Sequence, residues 1–462
     1  MTAIAVLDVG KTNAKLYAVR PDGGVLSSVS TPNRTLEGPP YRHHDLAGLG
    51  GWLLDALAGL AARHAVAAIV PCAHGGTGVL MGEEGPVMPM IDYEQALPAD
   101  AAAAYAAAAG SFRERGSGIM LGAAHAARQL LWLERGWPRA FAGARAFLHT
   151  PQYWAWWLSG VAADEVTSAA AQSHLWSAPD RRPAGIVAER GWGRLMPPMR
   201  PAWSTLGPVR PEIAARTGLD PATPVLCGIH DSSANFYRYR AAGLSDVTVV
   251  STGTWIVALT DRAGGVDFDR EQPGRTCNAD VFGAPVPGML AMGGREFSAV
   301  TDGAAGPADR ATIGRIVAGG TMALPFFGFD DGLFPGRARR GRVVGPLAEA
   351  AEARFSLAVL YAALLTAEIV EALPPAGTVV LDGTFVRDPL YGAIVGALLP
   401  AANVLVNPDN AGVAAGAALL AGHEGRREPA PLKLDRPDTG GLPDLASYRA
   451  RWRDRFTSEN TT

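Results

Sequence analysis

The chain opens on a short apolar run, Ala3-Ile4-Ala5-Val6-Leu7, followed by the turn residues Gly10-Lys11-Thr12-Asn13 and a second run, Leu16-Tyr17-Ala18-Val19. This pattern predicts strand, turn and strand rather than strand and helix. Leu49, Leu53, Leu57 and Leu60 recur at helical spacing within 46–64, and 67–70 reads as a strand. Residues 99–109 and 123–134 read as helices. Thr150-Pro151 predicts an N-cap and first turn for a helix that ends at Gly160. Its tryptophans, Trp154, Trp156 and Trp157, read as core.

The opening device recurs halfway along: a strand over 247–250, the turn Ser251-Thr252-Gly253-Thr254, then a strand over 255–259. The last third predicts a long helix over 354–373, a strand over 378–381, a turn at Asp382-Gly383 and a helix over 389–398. A strand over 403–406 and a small-residue helix over 410–421 follow. The recurrence suggests a duplicated architecture, with one hairpin per domain and a boundary near Ala241-Ala242-Gly243. The division expected is 1–241, 242–425 and a loosely packed extension over 426–462, which is rich in charge, proline and glycine.

Length agrees: 462 residues exceed what one core usually serves. A formal net charge of -3 gives no basic excess to attract nucleic acid or an anionic membrane. Residues 1–17 carry Asp8, Lys11 and Lys15, which argues against a signal peptide, and no apolar run reaches about 18 residues, so no membrane span is expected. Cys72, Cys227 and Cys277 are too few and too scattered for a disulfide framework or a zinc site. They read as small buried side chains in a cytoplasmic, reducing setting.

Several short motifs could carry chemistry. In Asp8-Val9-Gly10-Lys11-Thr12-Asn13-Ala14-Lys15, a glycine turn between strands can present N–H groups to phosphate oxygens, with Asp8 on the waters of a bound Mg²⁺. An ordinary polar hairpin has the same pattern. A Walker-A reading fails because Ala5 stands where that motif requires glycine, and a strand follows instead of a helix. In Gly228-Ile229-His230-Asp231-Ser232-Ser233-Ala234 an aspartate opens a helix whose N-terminus favours negative charge; it is a candidate base or a plain N-cap. Val250-Ser251-Thr252-Gly253-Thr254-Trp255 is a second phosphate-type turn or a second hairpin. His74-Gly75-Gly76 and Asp92-Tyr93-Glu94 could meet sugar hydroxyls or lie in a surface loop. Leu381-Asp382-Gly383-Thr384, with the small residues Gly412, Ala414, Ala415, Gly416 and Ala417, permits close helix packing or a flat ligand. His43-His44-Asp45 diverge too much in direction for zinc.

In this order and spacing the motifs resemble the FGGY carbohydrate kinases over about residues 3–422, and are closest to the rhamnulokinase and fuculokinase branch. The stretch 126–134 with Trp137-Pro138, and 150–160 followed by Asp164-Glu165 and Thr167-Ser168, are similar to the family's first domain. The resemblance implies an α/β protein of two actin-like, ribonuclease-H-like domains with a deep cleft, using ATP and Mg²⁺ to phosphorylate a small sugar. By carry-over Asp231 is the catalytic base, and Asp8 and Asp231 lie near the metal. Gly10, Lys11, Thr12, Asn13 and Lys15 approach the transferred phosphate, and Ser251, Thr252, Gly253 and Thr254 hold the phosphate chain from the other domain. Gly294, Gly383 and Asn407 lie along the nucleotide, and His74, Gly75, Asp92 and His230 face the sugar. A homodimer is a family-level expectation.

The sequence departs from the family at three places: Asp382-Gly383-Thr384-Phe385 replaces a triple-glycine turn, Met90-Ile91-Asp92-Tyr93-Glu94 lacks an arginine two residues after its aspartate, and Phe326-Phe327-Gly328-Phe329-Asp330 replaces a Gly-Glu-Arg type segment. A regulator that binds sugar or nucleotide without catalysis is the alternative from another class. A kinase acting on a carboxylate, and a glycosidase using Asp92 with Asp231, are further readings.

Overall fold

A computed structural model describes residues 2–328, 333–409 and 411–458. The first apolar runs form β1 (Thr2–Val9), β2 (Asn13–Val19) and β3 (Val25–Pro32), an antiparallel meander. Helix α1 (Leu46–Ala61) buries Leu49, Leu53, Leu57 and Leu60 against it and leads to β4 (Ala65–Ala73), parallel to β1. Helix α2 (Ala126–Gly136) belongs to a side layer with its own core. Helix α3 (Thr150–Ser159) buries Trp154 completely, and left-handed Gly160 ends it. The short helix α4 (Val166–Ala170) follows, and β5 (Thr205–Pro208) and β6 (Pro224–Leu226) complete one edge. The strand order is β5-β6-β4-β1-β2-β3, with β7 (Ile229–His230) also on β4.

Helix α5 (Asp231–Ala241) leaves this sheet, and a second one begins at β8 (Val247–Thr252). Its other strands are β9 (Ile256–Thr260), β10 (Arg275–Ala279), β11 (Pro285–Ala291), β12 (Thr378–Gly383) and β13 (Asn403–Val406). Their order is β10-β11-β9-β8-β12-β13. Again an antiparallel hairpin, β8–β9, lies beside a parallel strand, β12. The repeated hairpin gives the duplicated architecture that the sequence predicts, and the whole is the two-domain ribonuclease-H-like arrangement that the family resemblance implies. Helix α6 (Gly293–Thr301) follows β11, and α7 (Ala351–Glu371) runs through the second core. That helix is long and apolar enough to cross a membrane, but most of it is buried within the fold. The sequence expectation counted uninterrupted apolar runs, which its glutamates break. Helix α8 (Pro389–Leu398) packs beside it.

The small-residue helix is α9 (Gly412–Leu419); Asn410, its expected start, lies outside the described residues, as do Phe329 and Asp330 of the replaced segment. Its glycines and alanines serve helix packing. A side chain at Gly416 would collide with the Ala234 carbonyl of α5, so the two backbones approach as closely as only glycine allows.

The end of the chain departs from expectation. Residues 445–457 form α10 (Leu445–Thr457), which buries Tyr448, Trp452 and Phe456 in the second core. Trp452 Nε1 donates to the Ala323 carbonyl at 2.7 Å, and Arg449 pairs with Glu368 and Glu371. The spacing of Leu445, Tyr448, Trp452 and Phe456 carried this signal, masked by the polar lead-in. The helix is therefore structural: Trp452→Ala is expected to cost about 3–5 kcal/mol in urea denaturation, whereas a helix resting on the surface would lose under about 1 kcal/mol.

Candidate active site

The two glycine turns face each other across a cleft of about 520 Å³ between the domains. Of the residues singled out from sequence, Asp8, Gly10, Lys11, Thr12, Asn13, Lys15, His74, Gly75, His230, Asp231, Ser251, Thr252, Gly253 and Thr254 line it. A second cavity of about 660 Å³ adjoins it, sharing Gly253, Thr254 and Thr384. Gly294 lines this second space, and Phe297, Phe355, Phe385 and Tyr391 give it aromatic walls. A side chain at Gly294 would collide with the Gly253 carbonyl, so α6 abuts the second turn directly.

Each turn satisfies part of its own backbone. Gly10 N–H donates to Asn13 O at 3.0 Å, and Gly253 N–H to Trp255 O at 2.9 Å. The N–H groups of Lys11, Thr12 and Thr254 have no acceptor within the described residues. The side chains are less free than the motif suggests. Ser251 Oγ accepts from Asn235 Nδ2 at 2.5 Å, and Thr252 Oγ1 donates to the Asp382 carbonyl at 2.7 Å.

Asp8 ends β1 with Lys15 opposite it in the ladder. Burial pushes its carboxyl up to about 7; the charge of Asp231 adds to the shift and Lys15 opposes it. Asp231 opens α5. Its Oδ1 accepts from Ser232 N–H at 2.5 Å and lies 3.0 Å from His230 Nε2. Burial holds His230 below its usual range against the pull of Asp231, so the ring is neutral at pH 7. Ser233 Oγ lies within hydrogen-bond distance of His230 Nδ1 at 3.2 Å, while Nε2 meets Asp231 as a close polar contact. Oδ2 of Asp231 takes no hydrogen bond from the described residues.

Asp92, Gly383 and Asn407 are not brought to the cleft wall. Asp92 is fully buried, paired with Lys11 at 2.6 Å and Arg42 at 3.0 Å. Arg42 thus reaches Asp92 from a different part of the chain. Gly383 packs against the Thr252 backbone. Asn407 is fully buried, donating to Asp382 Oδ2 at 3.1 Å and to Tyr239 Oη at 3.0 Å.

Sequence reasoning missed His125 and Gln172, which line the cleft together with Trp255 of the second turn. His125 Nδ1 bonds the Gln172 carbonyl at 2.7 Å and Nε2 accepts from Met120 N–H at 2.9 Å, so both ring nitrogens are spent. Gln172 Nε2 donates across the domains to Asn278 Oδ1 at 2.7 Å. Both residues have positive φ, 79° and 50°. No local motif announces such positions.

Comparison with known proteins adds the family. Residues 3–236 match the model for the FGGY family of carbohydrate kinases, N-terminal domain, and residues 244–429 match that for carbohydrate kinase FGGY, C-terminal domain. The L-fuculokinases of Salmonella typhi and of Escherichia coli (strain K12) are 26% identical over 319 and 317 residues, covering 64% of this chain and spanning 65% of the length of each relative. A carbohydrate kinase from Novosphingobium aromaticivorans has a TM-score of 0.84 at 31% identity, over 99% of this chain and 98% of that one. A xylulose kinase from Rhodospirillum rubrum shares the fold, with a TM-score of 0.79 at 21% identity over 99% and 98%.

The Asp8 carboxyl makes a pH-dependent prediction. The folded chain keeps a proton there that the unfolded chain releases above about 4. Folding is thus penalised increasingly between about pH 4 and 7, and the penalty is constant above. Without divalent cations, Asp8→Asn should stabilise the fold by about 2 kcal/mol at pH 8, and the gain should vanish towards pH 4. Thermal denaturation across that range checks this; an equal gain at both ends would remove burial of charge as the cause.

Proposed function

The chain belongs to the FGGY family of carbohydrate kinases, and from that premise we propose that it transfers the γ-phosphoryl group of ATP to a hydroxyl of a small sugar, a ketose or related polyol. The observation that supports this most is the Asp231 carboxylate. One of its oxygens is held by the Ser232 N–H, with His230 Nε2 3.0 Å away, and the other is unspent beside the facing turns.

In this reading the aromatic cavity beside Gly294 takes the adenine, and the triphosphate runs over Gly253 and Thr254 towards the first turn. The sugar occupies the end near His74, Gly75 and His230. Its reacting hydroxyl gives its proton to Asp231 Oδ2 as the new O–P bond forms. The bond from the γ-phosphorus to the bridging oxygen breaks, and ADP leaves with that electron pair. Lys15 and the N–H groups of Lys11, Thr12 and Thr254 offset negative charge on the moving phosphoryl group. Asp8 and Asp231 fit a magnesium ion held largely through water, because the two carboxylates repel and a cation would relieve that repulsion. When bound, the ion would supply charge neutralisation at the phosphate oxygens.

The test is sugar-dependent ADP release from MgATP across ketoses, aldoses and polyols. Asp231→Asn should lower kcat about 100- to 10,000-fold and leave ATP affinity within a few-fold. A near-normal rate in that variant would exclude Asp231 as the base. ATP binding with no turnover on any sugar would favour the non-catalytic regulator.

A further inference from the structure

We propose that Thr167, oriented by Glu165, is the positioning residue for the catalytic base, an inference that rests on the kinase reading. Asp231 follows the two-residue strand β7, and the backbone N–H of His230 leaves that strand to meet a side chain. It donates to Thr167 Oγ1 at 3.1 Å. The Thr167 hydroxyl hydrogen goes the other way, to Glu165 Oε2 at 2.6 Å. The same carboxylate oxygen accepts Ser168 N–H at 3.0 Å and Ser168 Oγ at 3.2 Å, so Glu165 caps α4 and fixes the direction of the threonine hydroxyl.

Glu165 and Thr167 are both fully buried, and His230 is 4% exposed, so no water replaces a lost bond cheaply. β7 is held on one side by β4, and the Thr167 hydroxyl ties down the remaining peptide N–H at the junction with α5, from which both parts of the base assembly hang. The His230 ring lies against Asp231 Oδ1, with Nε2 at 3.0 Å, and the next residue carries the carboxylate itself. A small rotation of that peptide would swing Oδ2 away from the substrate hydroxyl. The turns that meet the phosphates belong to other elements and would not move. The consequence falls on kcat, because proton transfer depends on sub-ångström placement while ATP binding does not.

The experiment compares Thr167→Val, Thr167→Ser and Glu165→Gln with wild type by sugar-dependent ADP release, after folding is checked by circular dichroism. Valine keeps the shape and removes the hydroxyl; kcat should fall about 10- to 100-fold with the KM for ATP within about twofold. Serine keeps the hydroxyl and glutamine keeps an acceptor oxygen, so both should stay within about threefold of wild-type kcat. If the valine variant does not fold, Thr167→Ala gives the same comparison with serine. Wild-type kcat without the hydroxyl, or a loss that serine does not rescue, would overturn the positioning role and leave the kinase reading intact. A wild type inactive on every sugar would instead sink the kinase reading itself.

Discussion

The arrangement depends on the crossing of α5 and α9. Gly416 brings the backbone of α9 against the Ala234 carbonyl, and Ala414, Ala417 and Ala418 pack with Ala234 and Tyr237 against β1 and β4. Such close packing leaves α5 little room to shift. From this fixed rod, side chains reach into the second domain. Asn235 donates to Ser251 in the facing turn, Tyr239 donates to Asp382 Oδ2 at 2.5 Å, and Arg238 pairs with Asp409. Asp231 sits at the cleft end of the same rod, so its distance from both turns is set by one helix.

Charge in the cleft is divided by side. On the side proposed for the sugar the cations are already spent: Lys11 and Arg42 on Asp92, and Arg295 on Glu94 at 2.5 Å. That last pair joins the Asp92-Tyr93-Glu94 loop of the first domain to the N-terminal turn of α6, which borders the aromatic cavity. On the phosphate side, Lys15 forms no salt bridge among the described residues, so its charge remains available to a phosphate.

Much of this was legible in the sequence wherever a local pattern has a local consequence. The two strand–turn–strand devices, the glycine turns and the aspartate opening α5 all follow from neighbours in the chain, and fourteen singled-out residues meet in one cleft. The failures have a common cause. Asp92 reads as a sugar ligand from its own segment, yet Arg42 and Lys11, distant in sequence, bury it as an ion pair. Asn407 reads as a nucleotide contact, yet it lies under the second sheet with Tyr239 and Asp382. The final helix was hidden because Trp452 and Phe456 find their partners in Phe334 and Tyr361, about a hundred residues earlier. The spacing of these residues shows a helix, but not the partners that bury it.

Polar accounting at the sugar end narrows what can bind there. Buried polar atoms are nearly always satisfied, so the unspent ones point to a ligand. His125 is excluded, since both its nitrogens are used within the protein. His74 is different. Its Nδ1 lies 3.2 Å from the Gly75 carbonyl and so carries the hydrogen, while Nε2 is buried without a partner. Burial holds this ring below its usual range, so Nε2 remains an acceptor at neutral pH. Gln172 commits one amide hydrogen to Asn278 and keeps the other along with Oε1. With Asp231 Oδ2, acceptors predominate on this side, whereas the free groups near the turns, Lys15 and the backbone N–H groups, are donors. A molecule that fits both sides must donate hydrogen bonds at one end and accept them at the other. A sugar hydroxyl face meeting a phosphate chain has that polarity.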